Sequence, residues 1–286
     1  MAHLPDTIAS LAEIEARYPV IFCDVWGVLH NGETAFTEAA RALAAARERG
    51  IAVVLLTNSP RPHDGVEGQL HALGVPREAW DRIVTSGDVT RDLIAAGPRR
   101  VFHLGPDRDY PIFDGIDVEL VEEFEADAVV CTGLFDDETE TPEDYTELLA
   151  RLRARNLPFI CANPDVVVER GEKIIWCAGA LARDFAQLGG RTLIAGKPHA
   201  PIYEAALKAA VSVLDRAVAR TEVLCIGDGI MTDIKGAADN GIDALYISGG
   251  VHAREHGEPM EPDAELMAAF LGRHGYRPVA TMPRLR

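Results

Sequence analysis

Short, unbroken apolar runs recur along the chain, separated by longer stretches in which apolar residues repeat at helical spacing. Residues 20–23, which lead into Asp24, and 51–56, 223–226 and 244–247 are such runs. Their length and lack of polar alternation predict strands buried on both faces, as in a parallel sheet. Residues 37–49 predict a helix, closed by Gly50 as its C-cap. Strand and helix therefore alternate, the pattern of a parallel sheet with crossover helices. Pro60 stops the second strand, so the polar residues Thr57, Asn58 and Ser59 emerge at the edge of the sheet.

The middle of the chain has its own alternation. Residues 100–104, 128–131 and 158–161 read as strands, with a helix over 142–155. Thr57 and Lys197 are 197 − 57 = 140 residues apart, far more than a simple loop spans. The prediction is an α/β fold: a Rossmann-like parallel-sheet core formed by residues 1–98 and 193–286, and a smaller inserted α/β domain over 99–192. Residues 1–19 read as a polar, amphipathic helix without a signal-peptide layout. The tail, 273–286, is mildly basic, interrupted by proline, and yields no functional reading.

Composition narrows the partners. The 286 residues carry 28 basic against 45 acidic side chains, a formal net charge of −17. Nucleic-acid binders show a basic face, and Lys and Arg form nothing larger than pairs such as Arg99-Arg100. The acidity also disfavours anionic membranes, and no apolar run approaches the roughly 18 residues of a membrane-spanning helix. A cytoplasmic protein with neither nucleic acid nor membrane as partner is expected, with a homo-oligomer left open. Cys23, Cys131, Cys161, Cys177 and Cys225 are odd in number and mostly lie in apolar runs, so they read as small buried hydrophobes in a reducing compartment. Their spacing is too wide for a zinc site.

The chemistry begins where the first run delivers Asp24 to a strand end, followed by Gly27. Ligands of open α/β sheets bind beyond the carboxyl ends of the strands. A carboxylate there can act as a nucleophile, and Gly27 lets the backbone turn sharply behind it; taken alone, the same Asp is a turn cap. Asp228 and Asp233 follow a later strand, with Gly227 and Gly229 around the first. Together with Asp24 they offer the oxygen ligands that Mg²⁺ prefers. Asp233 also suits the first turn of a helix over 234–240, where the dipole favours a negative charge. Lys197, in Gly196-Lys197-Pro198, would offset crowded negative charge, although a lysine in a turn is commonly just solvated.

Four segments, Asp24-Val25-Trp26-Gly27-Val28-Leu29, Leu56-Thr57-Asn58-Ser59, Gly196-Lys197-Pro198 and Gly227-Asp228-Gly229-Ile230-Met231-Thr232-Asp233, together resemble the motifs of the haloacid dehalogenase (HAD) superfamily. Residues 125–130, 159–165 and 177–181 extend the resemblance to the C2-type cap of subfamily IIA, which includes phosphoglycolate, 4-nitrophenyl phosphate, pyridoxal phosphate and nucleotide phosphatases. The similarity spans about residues 20 to 250. It implies a Rossmann-like core with a C2-type cap, and Mg²⁺ held by Asp24, Asp228, Asp233 and the backbone carbonyl of Trp26. It also implies an aspartyl-phosphate at Asp24 and phosphoryl oxygens held by Thr57 and the Asn58 amide, with Lys197 beside them. Gly27 and Ser59 would join the substrate site, and Asn163, Asp165, Gly179 and Ala180 would lie on cap loops facing the core. Asn163-Pro164-Asp165 is a strong turn signal whatever its function.

One position departs from the family pattern: Trp26 stands where the second Asp of the first motif protonates the leaving group and then activates water. An indole N–H donates a hydrogen bond but does not shuttle protons near neutral pH. Loss of a general acid–base costs about 10²–10⁴ in rate. His30 and His252 are the candidate substitutes, each otherwise a plain loop histidine. The sequence thus implies a Mg²⁺-dependent phosphatase acting on a small phosphorylated metabolite, slowed by Trp26. The rival reading is a phospho-ligand-binding regulatory protein that retains the pocket.

Overall fold

The computed structural model describes residues 5–171 and 173–286. Two compact units divide the chain: Met1–Thr57, Glu67–Val84 and Tyr203–Arg286 form the first, Asn58–Val66 and Thr85–Ile202 the second. Both are α/β units built on parallel sheets.

The first unit carries a seven-stranded sheet in the order Asp6–Thr7, Ala280–Met282, Asp243–Ile247, Val223–Gly227, Val20–Cys23, Ala52–Thr57, Arg82–Thr85. Val20, Ile21, Phe22 and Cys23 are at most 1% exposed, which is why this strand shows no polar alternation. Full burial of each larger apolar side chain stabilises the fold by about 1.5–3 kcal/mol. From this strand the chain works outward to Ala52–Thr57 and Arg82–Thr85. It later returns to Val223–Gly227 on the opposite side and works outward again. The order of strands reverses between Val20–Cys23 and Val223–Gly227, and the crevice beyond the carboxyl ends of such a pair is where open α/β sheets bind ligands. The expected helix runs from Thr37 to Glu48 and buries Ala39, Ala40, Leu43 and Ala46. Gly50 follows at a φ of 87°, a left-handed conformation suited to glycine.

The second unit carries a five-stranded parallel sheet in the order Thr192–Ile194, Phe159–Cys161, Ala128–Cys131, Arg100–Leu104, Glu119–Leu120. Helices Thr146–Ala154 and Ala178–Gln187 pack Leu149, Leu152, Leu181 and Phe185 onto one face, against Val129 and Phe159. Ile94, Ile112 and Phe113 cover the other face, against Val101, Val130 and Ile160. The helix expected over 142–155 begins as a 3₁₀ turn, Pro142–Tyr145, before the α-helix proper. Among the described residues no helix is long and apolar enough to cross a membrane, and all five cysteines are buried thiols.

The N-terminal segment differs from the helix expected over residues 1–19. Residues 1–4 lie outside the described residues. Beyond them come the strand Asp6–Thr7 and two 3₁₀ turns, Leu11–Glu13 and Glu15–Arg17. The reason lies in the spacing: the buried Ile8, Leu11 and Ile14 recur every third residue, the repeat of a 3₁₀-helix. The Glu13 carboxylate also accepts the N–H groups of Ala9 and Ser10, which closes the turn. The tail, unread from sequence, supplies the strand Ala280–Met282, which pairs in parallel with Asp243–Ile247 and with Asp6–Thr7.

Candidate active site

Asp24 extends the ladder of the central strand by one residue: its N–H donates to the Ile226 carbonyl at 2.8 Å. Its carboxylate folds back to accept the Val25 N–H at 2.7 Å. The chain then turns through Gly27, at a φ of 81°, whose N–H donates to the His30 carbonyl. A Cβ at Gly27 would lie 2.2 Å from Asp228 Oδ2, so glycine is required there by conformation and by contact.

Asp228 follows the neighbouring strand, and its Oδ2 accepts the Val251 N–H at 2.8 Å. Gly250 is pressed against the same carboxylate, where a Cβ would come within 2.0 Å of Oδ2. This second wall was not identified from sequence, although the pair Gly249-Gly250 directly after a buried strand is a visible signal. Asp233 does not open an ordinary helix as expected. It lies in a π-helical turn, Ile230–Ile234, that precedes the short α-helix Lys235–Asp239. Its Oδ2 accepts the Gly229 N–H at 3.1 Å, and a Cβ at Gly227 would lie 2.2 Å from its Cγ.

These contacts bring the three carboxylates together. Asp24, Asp228 and Asp233 are 7%, 6% and 5% exposed, and one ligand atom from each lies within 4.8 Å of the others. Like charges this close and this dry repel strongly unless a cation or protons intervene. An all-oxygen, all-carboxylate donor set fits a hard divalent cation such as Mg²⁺.

Trp26 and His30 pack edge to face, with ring centroids 4.9 Å apart. His30 is buried, and its Nδ1 accepts the Gly32 N–H at 2.9 Å, which assigns the ring proton to Nε2. Desolvation lowers its pKa to about 4. Only about a thousandth of such a group is cationic at pH 7, so His30 is a poor substitute acid. His252 is also lowered by burial; its Nδ1 lies 3.4 Å from Glu255 and its ring packs on Phe270. The depressed His30 contributes stability that is present above the ordinary histidine pKa of about 6.5 and is lost as pH falls toward 4. Between pH 7.5 and 5, wild type is expected to lose about 2 kcal/mol more stability than His30→Gln. Urea unfolding at both pH values checks this, and parallel losses would contradict it.

Thr57 is buried at the end of its strand. In the second unit, the Ser59 carbonyl accepts the Gly87 N–H and its hydroxyl accepts the Arg61 N–H at 3.3 Å. Asn58, Asp165 and Lys197 converge there: Asn58 Nδ2 donates to Asp165 Oδ1 at 2.9 Å, and Asn58 Oδ1 accepts the Lys197 N–H at 2.8 Å. Asn163 Oδ1 accepts the Asp165 N–H at 3.1 Å, the Asx turn that the sequence signalled. Gly179 and Ala180 are not on a loop. They are buried in the first turn of the helix Ala178–Gln187, where small residues admit the 163–165 turn: a Cβ on Gly179 would lie 2.2 Å from the Pro164 carbonyl oxygen.

Comparison with known proteins agrees with this geometry. The profile of haloacid dehalogenase-like hydrolases matches residues 21–119, and a HAD-hydrolase-like profile matches residues 194–270. A solved haloacid dehalogenase-like hydrolase from Brucella suis 1330 is 61% identical, covering 99% of this chain and 100% of its own, with a TM-score of 0.89. The chain belongs to the haloacid dehalogenase-like hydrolase family. The 5′-nucleotidase YutF of Bacillus subtilis is 27% identical over 244 residues, 84% of this chain and 90% of the relative. The ribonucleotide monophosphatase NagD of Escherichia coli K12 is 25% identical over 240 residues, 81% and 88% respectively. The family membership and α/β architecture expected from the motif order therefore hold, and the matched profiles include Asp24 at one end and Asp228 and Asp233 at the other.

Proposed function

We propose that this hydrolase is a Mg²⁺-dependent phosphatase of a small phosphorylated metabolite, working through an aspartyl-phosphate on Asp24. The observation that carries the reading is the convergence of three buried carboxylates at the ends of adjacent strands. The phosphatase activities of YutF and NagD support the substrate class. Asp24, Asp228, Asp233 and the Trp26 carbonyl would hold the metal, whose charge would offset the crowded carboxylates and draw in the phosphate. An Asp24 oxygen forms the new bond to phosphorus while the bond to the ester oxygen breaks; water then cleaves the acyl phosphate and regenerates the carboxylate. Thr57, the backbone N–H of Asn58 and Lys197 would stabilise the phosphoryl oxygens. Residues 99–192 would act as the cap, with Asn163 and, outside the cap, Ser59 contributing to substrate selection, in a cytoplasmic enzyme.

The missing proton donor defines the second reading. With an indole at position 26 and a neutral, buried His30, the departing alkoxide lacks an obvious acid. A protein that binds a phosphorylated ligand with little turnover would share the same pocket. Phosphate release with Mg²⁺ and with EDTA separates the two. The phosphatase reading expects metal-dependent release, faster by about 10²-fold or more for 4-nitrophenyl phosphate than for an alkyl phosphate, because the acidic phenol needs no protonation. No release from either ester, in protein that still binds Mg²⁺, would establish the binding reading.

A further inference from the structure

Asn58 spends its whole side-chain amide on the protein. Its Oδ1 accepts the N–H of Lys197 at 2.8 Å, and its Nδ2 donates to the Lys197 carbonyl at 3.2 Å and to Asp165 Oδ1 at 2.9 Å. A primary amide has two donor hydrogens and one oxygen, so both hydrogens and the oxygen are engaged. Asn58 and Lys197 are 1% and 2% exposed, which puts these bonds out of competition with water. The two bonds to Lys197 grip its peptide groups on both sides of the α-carbon, from 139 residues away in sequence.

The surroundings leave the clamp no slack. A Cβ on Gly196 would lie 2.5 Å from Ser86 Oγ, 2.8 Å from Asn58 Oδ1 and 2.8 Å from Pro164 Cγ. On its other side the 163–165 turn is held by Gly179, whose N–H donates to the Asp165 carbonyl at 3.1 Å. The start of the 58–66 segment, the 163–165 turn and the 195–198 loop are thereby joined through one side chain.

We infer that Asn58 is a positioning residue that acts through Lys197, and that Asp165 is its anchor on the 163–165 turn rather than a substrate contact. This rests on the phosphatase reading for the role of Lys197 as the cation that steadies the phosphoryl group. The clamp fixes the backbone of Lys197 so that its ammonium is delivered to one place, and it ties that placement to the position of the turn. Misplacing a charged group by about an ångström lowers the rate by up to about 10²-fold.

A double-mutant cycle on the full-length protein tests this, with 4-nitrophenyl phosphate and Mg²⁺. Asn58→Ala is expected to lower kcat about 10- to 100-fold with KM changed only a few-fold. In a Lys197→Ala background it is expected to change kcat by less than about twofold, because the residue through which it acts is gone. A second pair guards against a general folding defect. Asn58→Asp places two carboxylates together, whereas the combined Asn58→Asp/Asp165→Asn swap restores the bond between these two side chains with donor and acceptor exchanged, leaving the bond to the Lys197 carbonyl as the one contact still unmade. The swap is expected to recover at least about tenfold of the lost kcat. An equal effect of Asn58→Ala in both backgrounds, or a swap no better than Asn58→Asp alone, would overturn the inference. If wild type releases no phosphate, the phosphatase reading fails separately. The same cycle is then read as inorganic phosphate affinity by calorimetry, with the same coupling expected and additivity overturning it.

Discussion

Asp24→Asn is expected to abolish metal-dependent phosphate release, by about 10⁴-fold or more, while leaving the fold intact. The amide is a near-isostere whose oxygen still accepts the Val25 N–H, and the ladder bond from Asp24 N–H to Ile226 is untouched. What disappears is the nucleophilic oxygen and one of three crowded negative charges. The charge effect gives an independent readout. Added Mg²⁺ should stabilise the variant less than wild type, because stabilisation by a ligand follows its affinity for the folded state. Wild-type turnover in a folded Asp24→Asn protein would remove Asp24 as the nucleophile.

Trp26→Asp is the second large effect, and it points the other way. The wild-type indole offers no group that exchanges a proton near neutral pH, and His30 beside it is held neutral by burial. A carboxyl at position 26 would supply both the acid for the leaving oxygen and the base for the water. The gain expected is about 10²–10⁴ for an alkyl phosphate, or roughly 3–5 kcal/mol of barrier. For 4-nitrophenyl phosphate only the base for the water matters, so its gain should be the smaller of the two and should report faster cleavage of the acyl phosphate, and the ratio between the two substrates should fall toward one. The edge-to-face contact with His30 is lost, at a cost of about 0.5–1.5 kcal/mol in stability. An unchanged alkyl phosphate rate in folded Trp26→Asp would mean that the indole shapes the pocket or that the proton comes from another group.

The parts of this protein that could be read from sequence are those in which a local pattern reports a local environment. Val20–Cys23 and Val223–Gly227 are buried on both faces, so their unbroken apolar letters name them as strands of a parallel sheet. Asp24 and Asp228 follow those strands immediately, and the register that pairs Cys23 with Ile226 sets them side by side. The strands Asp6–Thr7 and Ala280–Met282 were not legible. They are two and three residues long, and they pair with each other from opposite ends of the chain. The first turn of Ala178–Gln187 passed for a loop because its Gly179 is required by the closeness of the Pro164 and Asp165 carbonyls, a tertiary contact. The π-turn around Asp233 leaves no periodic signature in five residues. Asn58 could be singled out by its place after Thr57, but its grip on Lys197 and Asp165 depends on loops more than 100 residues away.

The most direct test of the central claim is to trap the intermediate. Wild-type protein and Asp24→Asn are mixed with Mg²⁺ and 4-nitrophenyl phosphate, quenched in acid during turnover, and digested for mass spectrometry. Without an effective base at position 26, cleavage of the acyl phosphate is slow, so the phosphoryl-enzyme should accumulate. One phosphoryl group on the peptide containing Asp24, absent from the variant and lost on treatment with hydroxylamine, is the predicted result. Metal-dependent phosphate release with Asp24 unmodified at every quench time, or a phosphoryl group carried by another residue, would contradict it.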